Sequence, residues 1–581
     1  MSEEASKLPK DIAAAEGKVN VQINGTWHRF PRGTRIADAC RSVGVPIPCF
    51  CYHPKLAVAG SCRMCMVEQG MPPRLAPGQT PSYDENGYQR IQWMPRPIIS
   101  CANTVAENMG IRTDSPLASE ARRGVMEFLL TSHPLDCPIC DQAGECKLQE
   151  YSNDYGQVEG RFEEKKTKKG KNLSIGPRVN LDQERCVLCG RCVRFMRDIM
   201  HDEVLTMSQR GTFNAITVYP GRELDSNYSM NTVDLCPVGA LTSKDFRFKM
   251  RVWFLKETKT IDVDCGTGTN ITLWTREDKV YRITPRQNDA VNSCWMPDSH
   301  RLNYKYINAE TRIPQPVIRT DAEAPLPPPR PSPWEPALAS AAEAVKRIAP
   351  NQLAIIASGR MTNEELYMVR HLAAQIGTDM VDIVPRMGES DGMLISADRN
   401  PNTNGARLVL DIEPGSRLDA IREGVRSGSI KGILSLGEDL ISPEAGFTAE
   451  DLDKLDYLFM TAHSANETAR HADLVLPGVT YAEKFGTMIN VTGRIQRLNR
   501  AIQPIGYARD DWQIFRDITL LLGGNPALKD FNSALDILTA MSTEYGALNG
   551  VSWGSIGDGG QPILETGVTI PVVEREKNQG R

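Results

Sequence analysis

The chain has 581 residues, 41% hydrophobic and 24% charged, and its 67 Lys+Arg against 72 Asp+Glu leave a net charge of -5. That length holds roughly three to five domains with cores of their own, and the near-neutral balance argues against nucleic-acid binding as the main business. All fifteen cysteines fall at or before Cys294, a lopsidedness foreign to a disulfide framework that points to metal ligation in a reducing compartment.

Met1 to Lys18 is acidic and alanine-rich, without an apolar leader core or twin arginine, so no export signal is expected. No apolar run approaches the length of a membrane span, so any membrane association must go through a partner, and the expected location is cytoplasmic. From Val19, alternation through Val21 and Ile23 meets Asn24-Gly25 and a second run to Phe30, which predicts a hairpin. Thr34 to Val43 predicts a short helix. Hairpin, helix and then a cysteine loop is the order of a plant-type ferredoxin β-grasp.

That loop carries Cys51, Cys62 and Cys65, with Cys101 after a long gap. Ala59, Gly60 and Ser61 are small enough for backbone N-H groups to approach an anionic cluster. A 2Fe-2S cluster is therefore expected on Cys51, Cys62, Cys65 and Cys101, although the spacing differs from the plant-type pattern. Cys49 is an alternative ligand and Cys40 a core residue on the apolar side of its helix. The insertion from about Gln69 to Pro97 reads as a surface loop.

A helical pattern over Leu117 to Ser132 leads into His133-Pro-Leu-Asp-Cys137-Pro-Ile-Cys140, with Cys146 six residues on. Three cysteines need a fourth donor for a 4Fe-4S cluster, and His133 supplies it, a neutral imidazole among thiolates. Tyr151 to Lys171 is polar, and its basic run from Lys165 to Lys171 reads as a solvated loop. Then Cys186-Val-Leu-Cys189-Gly-Arg-Cys192 is answered at a distance by Cys236-Pro237, a ferredoxin-type 4Fe-4S pattern with proline holding the last ligand's loop out of helix. A structural zinc site is the alternative for these four thiols.

The order of these motifs, and the words Ile47-Pro48-Cys49-Phe50-Cys51-Tyr52-His53-Pro54, Cys62-Arg63-Met64-Cys65, His133-Pro134-Leu135-Asp136-Cys137-Pro138-Ile139-Cys140-Asp141-Gln142 and Leu241-Thr242-Ser243-Lys244, resemble the large iron-sulfur subunit of respiratory complex I, the NADH:quinone oxidoreductase. The family can carry one more cluster on Cys-x2-Cys-x3-Cys with a distant fourth cysteine. This chain offers Asp262, Cys265 and Thr269 there, with Pro297 at the distant position; Cys265 is expected to be a relic and Cys294 is off register.

The proline-rich Ile313 to Pro336 marks a domain boundary. Beyond it, Trp334 to Ile348 and Asn363 to Ile376 predict helices, and Leu353 to Ala357, Gly432 to Leu436, Tyr457 to Thr461 and Ala472 to Leu476 predict strands of a parallel sheet. Ala472-Asp-Leu-Val-Leu-Pro477, Ala482-Glu483-Lys484 and Asn490-Val-Thr-Gly493-Arg494 resemble the molybdopterin-oxidoreductase fold. No cysteine follows Cys294, and Ser390 reads as a turn residue, so a scaffold without molybdenum is expected. The stretch from Leu528 to Arg581 is loosely patterned, in keeping with an arm on a neighbour.

The expected architecture is multidomain α/β and α+β: a 2Fe-2S domain over 18-104, the histidine-plus-three-cysteine domain over 112-152, a ferredoxin-like 4Fe-4S domain over 175-248, a degenerate 4Fe-4S domain over 256-312, the connector 313-336, a degenerate molybdopterin-oxidoreductase-like α/β domain over 337-525 and a tail over 526-581. The resemblance implies one 2Fe-2S and two 4Fe-4S clusters relaying electrons toward quinone in a proton-translocating complex. Implied partners are a flavin/NADH subunit, a small 2Fe-2S subunit, an eight-iron ferredoxin-like subunit and quinone-site subunits, at the cytoplasmic side of the membrane. Gly266-Thr-Gly268 and Gly557-Asp-Gly559 lack the rest of a dinucleotide fingerprint, which leaves NADH oxidation to a partner. The rival readings, a formate dehydrogenase or hydrogenase subunit, need a metal thiolate or further cysteines downstream.

Overall fold

The computed structural model describes residues 17-85, 87-319 and 332-578. Most of Met1 to Lys18, the middle of the proline-rich connector and the last three residues lie outside the described residues. The chain divides into two compact units, Met1-Trp253 and Phe254-Arg581.

In the first unit, Lys18-Ile23 pairs antiparallel with Thr26-Pro31. Asn24 and Gly25 between them have φ of +48° and +89°, the left-handed pair that matches a two-residue turn to strand twist. The helix Ile36-Ser42 follows, and Lys18-Ile23 then pairs parallel with Met109-Arg112. Met66-Met71 adds antiparallel to Met109-Arg112. Val19, Val21, Ile36, Ala39, Cys40, Val67 and Ile111 fill the core beneath this sheet, so Cys40 is a core residue.

The insertion is more than a surface loop. Gln92-Trp93 returns as a strand beside Gly70 and Met71, and Tyr88 stacks on Trp27 with ring centroids 4.1 Å apart. Gly70 and Gly110 make room: a Cβ on either would stand 2.2 Å or 2.7 Å from Ile91. Aromatic burial, invisible in a Pro/Gly-rich composition, pulls the far end of the insertion onto the sheet.

The helix Pro116-Leu130 is capped by Ser115, which accepts the Ala118 N-H, with proline in its first turn. Its buried Arg122 donates to the Met66 carbonyl at 3.1 Å, fastening it to the strand that follows Cys65. Farther on, Leu241-Ser243, Val179-Leu181 and Leu173-Ser174 form a three-stranded antiparallel sheet, and Leu205-Ser208 pairs with Ala215-Val218.

The second unit opens with an antiparallel sheet of Lys256-Ile261, Asn270-Arg276 and Lys279-Pro285. Its Ile261, Ile271 and Leu273 share a core with Tyr481, Met488 and Leu498. A six-stranded sheet follows in the order Val317-Ile318, Leu474-Pro477, Tyr457-Ala462, Gly432-Leu436, Leu353-Ala357, Val381-Ile383. All neighbours are parallel except the first pair. The strands expected from sequence are there, joined by Val381-Ile383 and an edge strand. Asn363-Ile376 packs on this sheet behind a capping box of Thr362 and Glu365 and ends at Gly377, φ +79°.

The C-terminal stretch is not an arm. Ile537, Leu538, Met541 and Leu548 are buried in the same core as Leu353 and Phe459, Gln561-Pro562 pairs with Arg494-Leu498, and the Glu576 carboxylate accepts from Ser293 Oγ at 2.7 Å. Its apolar positions are spread over short helices and turns, too sparse for a periodic signal, yet Ile537, Leu538, Met541, Leu548, Val551 and Ile556 meet in one core.

Candidate metal centres

Cys51, Cys65 and Cys101 are buried and Cys62 half-buried, and their sulfurs are linked. The thiols of Cys101 and Cys62 hydrogen-bond the Cys51 sulfur and hold its pKa far below the usual thiol range. Cys101 does the same for Cys65, while Cys101 and Cys62, as the donors, are pushed up. Phe50 N-H points at Cys62 Sγ at 3.5 Å. Gly60 has φ of +62° and a Cβ there would meet Ile99 at 3.1 Å, so the small residue serves the tight loop. Cys49 donates instead to the Tyr52 carbonyl at 3.8 Å, and burial raises its pKa; the structure joins Cys51, Cys62, Cys65 and Cys101 and leaves Cys49 beside them.

Cys137 starts the short turn Cys137-Ile139, which Cys140 closes through its N-H to the Cys137 carbonyl at 3.1 Å. Cys146 precedes the helix Lys147-Tyr155, and the N-H groups of Gln149 and Leu148 aim at its sulfur, opposing the upward push of burial. A helix N-terminus suits a thiolate. His133 is driven down to about 4, first by burial, so its imidazole is neutral near pH 7, the form that can donate a lone pair. Asp136 acts on both His133 and Cys140 and is itself fixed by Arg185 at 2.8 Å and Lys171 at 3.2 Å. Lys171 of the basic run is therefore engaged in this network rather than simply solvated.

Cys186, Cys189, Cys192 and Cys236 line one pocket with apolar walls that include Leu181 and Ile216. Leu188 and Gly190 both take positive φ, +52° and +68°, which curls the loop around the thiols and points Leu188 N-H at Cys186 Sγ, 3.4 Å away. Burial pushes Cys186 up to about 12 and Cys189 up to about 11. Backbone N-H groups of Val238, Leu241 and Ala240 counter that push at Cys236. Buried thiols that repel one another as anions, yet are ringed by N-H donors, fit a cationic iron core that replaces their protons.

Three features tie these sets together, and sequence reasoning did not single them out. Arg194, buried in the helix that carries Cys192, donates to the carbonyls of Cys51 at 2.5 Å, Cys189 at 3.2 Å and Ala57. Arg191 reaches the Tyr52 carbonyl at 2.5 Å and that of Leu235 at 3.3 Å. Gly239, three residues after Cys236, comes so close to the next set that a Cβ would lie 2.3 Å from Cys140 Sγ, and Cys146 acts electrostatically on Cys236. Both arginines sit inside or beside the cysteine motif, the one local signal that could have flagged them.

In the second unit Ser390 is a turn residue, its Oγ accepting the Gly392 N-H at 3.2 Å. Among the described residues no helix is long and apolar enough to cross a membrane.

Comparison with known proteins adds family matches along the chain. They are a 2Fe-2S iron-sulfur cluster binding domain over residues 16-116, the NADH-ubiquinone oxidoreductase-G iron-sulfur binding region over 122-161, the NADH-quinone oxidoreductase subunit 3 ferredoxin-like domain over 176-242, an NDSU1/NuoG-like 4Fe-4S domain over 255-305 and molybdopterin oxidoreductase over 399-519. The NADH-ubiquinone oxidoreductase 78 kDa subunit of Candida albicans is 31% identical, over 89% of this chain and 84% of its own length. The NuoG-type subunit of the NADH-quinone oxidoreductase of Rickettsia felis is 30% identical over 86% of this chain and 87% of its own, and that of Rickettsia prowazekii 37% identical over 86% and 70%. With the cysteine sets gathered as described and relatives matched over most of both lengths, the chain belongs to the family formed by the bacterial NuoG-type subunit of NADH-quinone oxidoreductase and the mitochondrial 78 kDa subunit.

Proposed function

We propose that this subunit of NADH:quinone oxidoreductase passes single electrons through three centres: a 2Fe-2S cluster on Cys51, Cys62, Cys65 and Cys101, a 4Fe-4S cluster on Cys186, Cys189, Cys192 and Cys236, and a 4Fe-4S cluster on His133, Cys137, Cys140 and Cys146. When bound, such clusters supply reversible one-electron chemistry, and the polypeptide supplies ligation, insulation and tuning. The observation that carries the reading is the chain of contacts between the thiol sets. Arg194 bridges the carbonyls of Cys51 and Cys189, and Gly239 packs against Cys140 beside Cys236, which supports the order 2Fe-2S, ferredoxin-like centre, histidine-ligated centre.

Arg191 and Arg194 hold two ligand loops at fixed separation and place positive charge between anionic sites. Backbone N-H groups on the sulfurs raise the affinity for an added electron. His133, half-buried and neutral near pH 7, contributes no charge where a fourth cysteine would add one. The 337-525 domain serves as a scaffold without molybdenum. In the assembly, NADH and flavin belong to one partner, a small 2Fe-2S subunit and an eight-iron ferredoxin-like subunit flank the relay, and quinone-site subunits link it to proton translocation at the cytoplasmic face of the membrane.

The experiment is iron and sulfide analysis with EPR on the anaerobically purified complex and on a preparation of this chain. Three clusters of these types give about ten iron atoms from this chain. About fourteen would require a fourth cubane and overturn the count.

A further inference from the structure

We propose that Asp262, Cys265 and His300 hold one divalent transition-metal ion, zinc by the chemistry of the donors, where a cubane cannot be built. One ligand atom from each of the three lies within 4.8 Å of the other two, and all three residues are buried. A zinc ion bound tetrahedrally by S, N and O holds its ligand atoms roughly 3.3-3.6 Å apart, so small side-chain adjustments close the set. His300 Nδ1 already faces Asp262 Oδ2 at 2.7 Å. His300 is fixed on the short helix Asp298-Leu302, while Asp262 and Cys265 follow the strand Lys256-Ile261.

The thiol has little else to do. Cys265 Sγ is 3.7 Å from the Leu394 carbonyl, and that oxygen already takes the Thr267 hydroxyl at 2.6 Å. The backbone N-H groups of Ser396 and Thr267 are directed at the sulfur, the arrangement that steadies a metal-bound thiolate. Asp264, whose Oδ1 accepts from Asn303 Nδ2 at 2.8 Å, adds a second carboxylate to the same short stretch. A carboxylate, a thiol and an imidazole within reach of one another are a donor set for a borderline-soft cation. A 4Fe-4S cubane is a poor alternative: of Asp262, Cys265, Thr269 and Pro297, only one offers sulfur. Binding breaks the His300 Nδ1 to Asp262 hydrogen bond and displaces to solvent the thiol proton and the acid proton of the ion-paired imidazole, leaving a neutral imidazole with its remaining proton on Nε2 and no change of oxidation state.

The test is element-specific and independent of the cluster count, since zinc and iron are read separately. Zinc is measured in the purified complex before and after one equivalent of added zinc and removal of loose metal by a weak chelator. Native complex should retain one more zinc per copy of this chain than complexes carrying Cys265→Ser or His300→Gln, with iron content and cluster EPR signals alike in all three. The zinc K-edge spectrum of the native complex should contain a component with one sulfur near about 2.3 Å and nitrogen or oxygen near about 2.0-2.1 Å; this readout stands even if a variant fails to assemble. No retained zinc in the native complex, equal zinc in native and both variants, or an edge without the sulfur shell would overturn the proposal.

Discussion

Removing the charge of Arg194 should lower the potentials of two centres at once. Arg194 is 7% exposed and its guanidinium donates to the carbonyls of Cys51, Cys189, Ala57 and Gly190. A unit charge about 7 Å from a cluster, at an effective dielectric of about 20, contributes about 2.4 kcal/mol. For one electron that is about 100 mV. Arg194→Gln should therefore lower the midpoints of the proposed 2Fe-2S and ferredoxin-like 4Fe-4S centres by several tens of mV and up to about 100 mV, leaving the centre proposed at Cys137, Cys140 and Cys146, whose carbonyls Arg194 does not contact, less affected. Arg194→Lys keeps the charge but not the planar fork; it should restore the potentials while losing stability, because buried carbonyls left without donors cost about 1-3 kcal/mol each. The assay is a potentiometric titration followed by EPR on the assembled complex. Unchanged midpoints for both centres in an Arg194→Gln complex with full iron content would refute the electrostatic reasoning.

Three further perturbations test other contacts. His133→Cys adds a negative charge and should keep a cubane at lower potential, while His133→Ala should lose it or open an iron position to water; an untouched EPR signal, iron content and potential in a folded His133→Ala protein would make the histidine a mere neighbour. Gly239→Ala places a Cβ 2.3 Å from Cys140 Sγ and 3.1 Å from Gln142 Cβ, so the EPR signal of the centre proposed at Cys137, Cys140 and Cys146 should be lost or shifted while the 2Fe-2S signal persists; identical signals at both would show that the loop yields freely. In the second unit, Lys484 Nζ donates to both Glu365 oxygens at 2.8 Å and both residues are buried. Lys484→Met leaves the buried Glu365 carboxylate with the Thr362 N-H but without its cation and should cost about 3-5 kcal/mol, read as a lowered melting temperature of the complex, with Glu365→Gln added to it recovering part of the loss; no loss in the single variant would contradict the pairing. Elemental analysis should find no molybdenum, and one atom per chain would revoke the scaffold reading.

The sequence alone determined whatever depends on neighbours along the chain. Asn24-Gly25 dictated a hairpin because only left-handed backbone turns two residues between twisted strands. Cys186, Cys189 and Cys192 announced one candidate ligand set because a short spacing already confines three thiols to one loop, where they line one pocket, and the strands from Leu353 and Gly432 were plain because a buried parallel strand is an unbroken apolar run. Tertiary structure decided what depends on separation in space. It joined Cys101 to Cys51, laid Tyr88 on Trp27 and folded the C-terminal stretch into the core that holds Leu353 and Phe459. It also put His300 against Asp262, thirty-eight residues away. Contacts of this kind leave no period and no spacing in the sequence, because each partner is chosen by the path of the backbone between them, and that path is fixed only when the whole core packs.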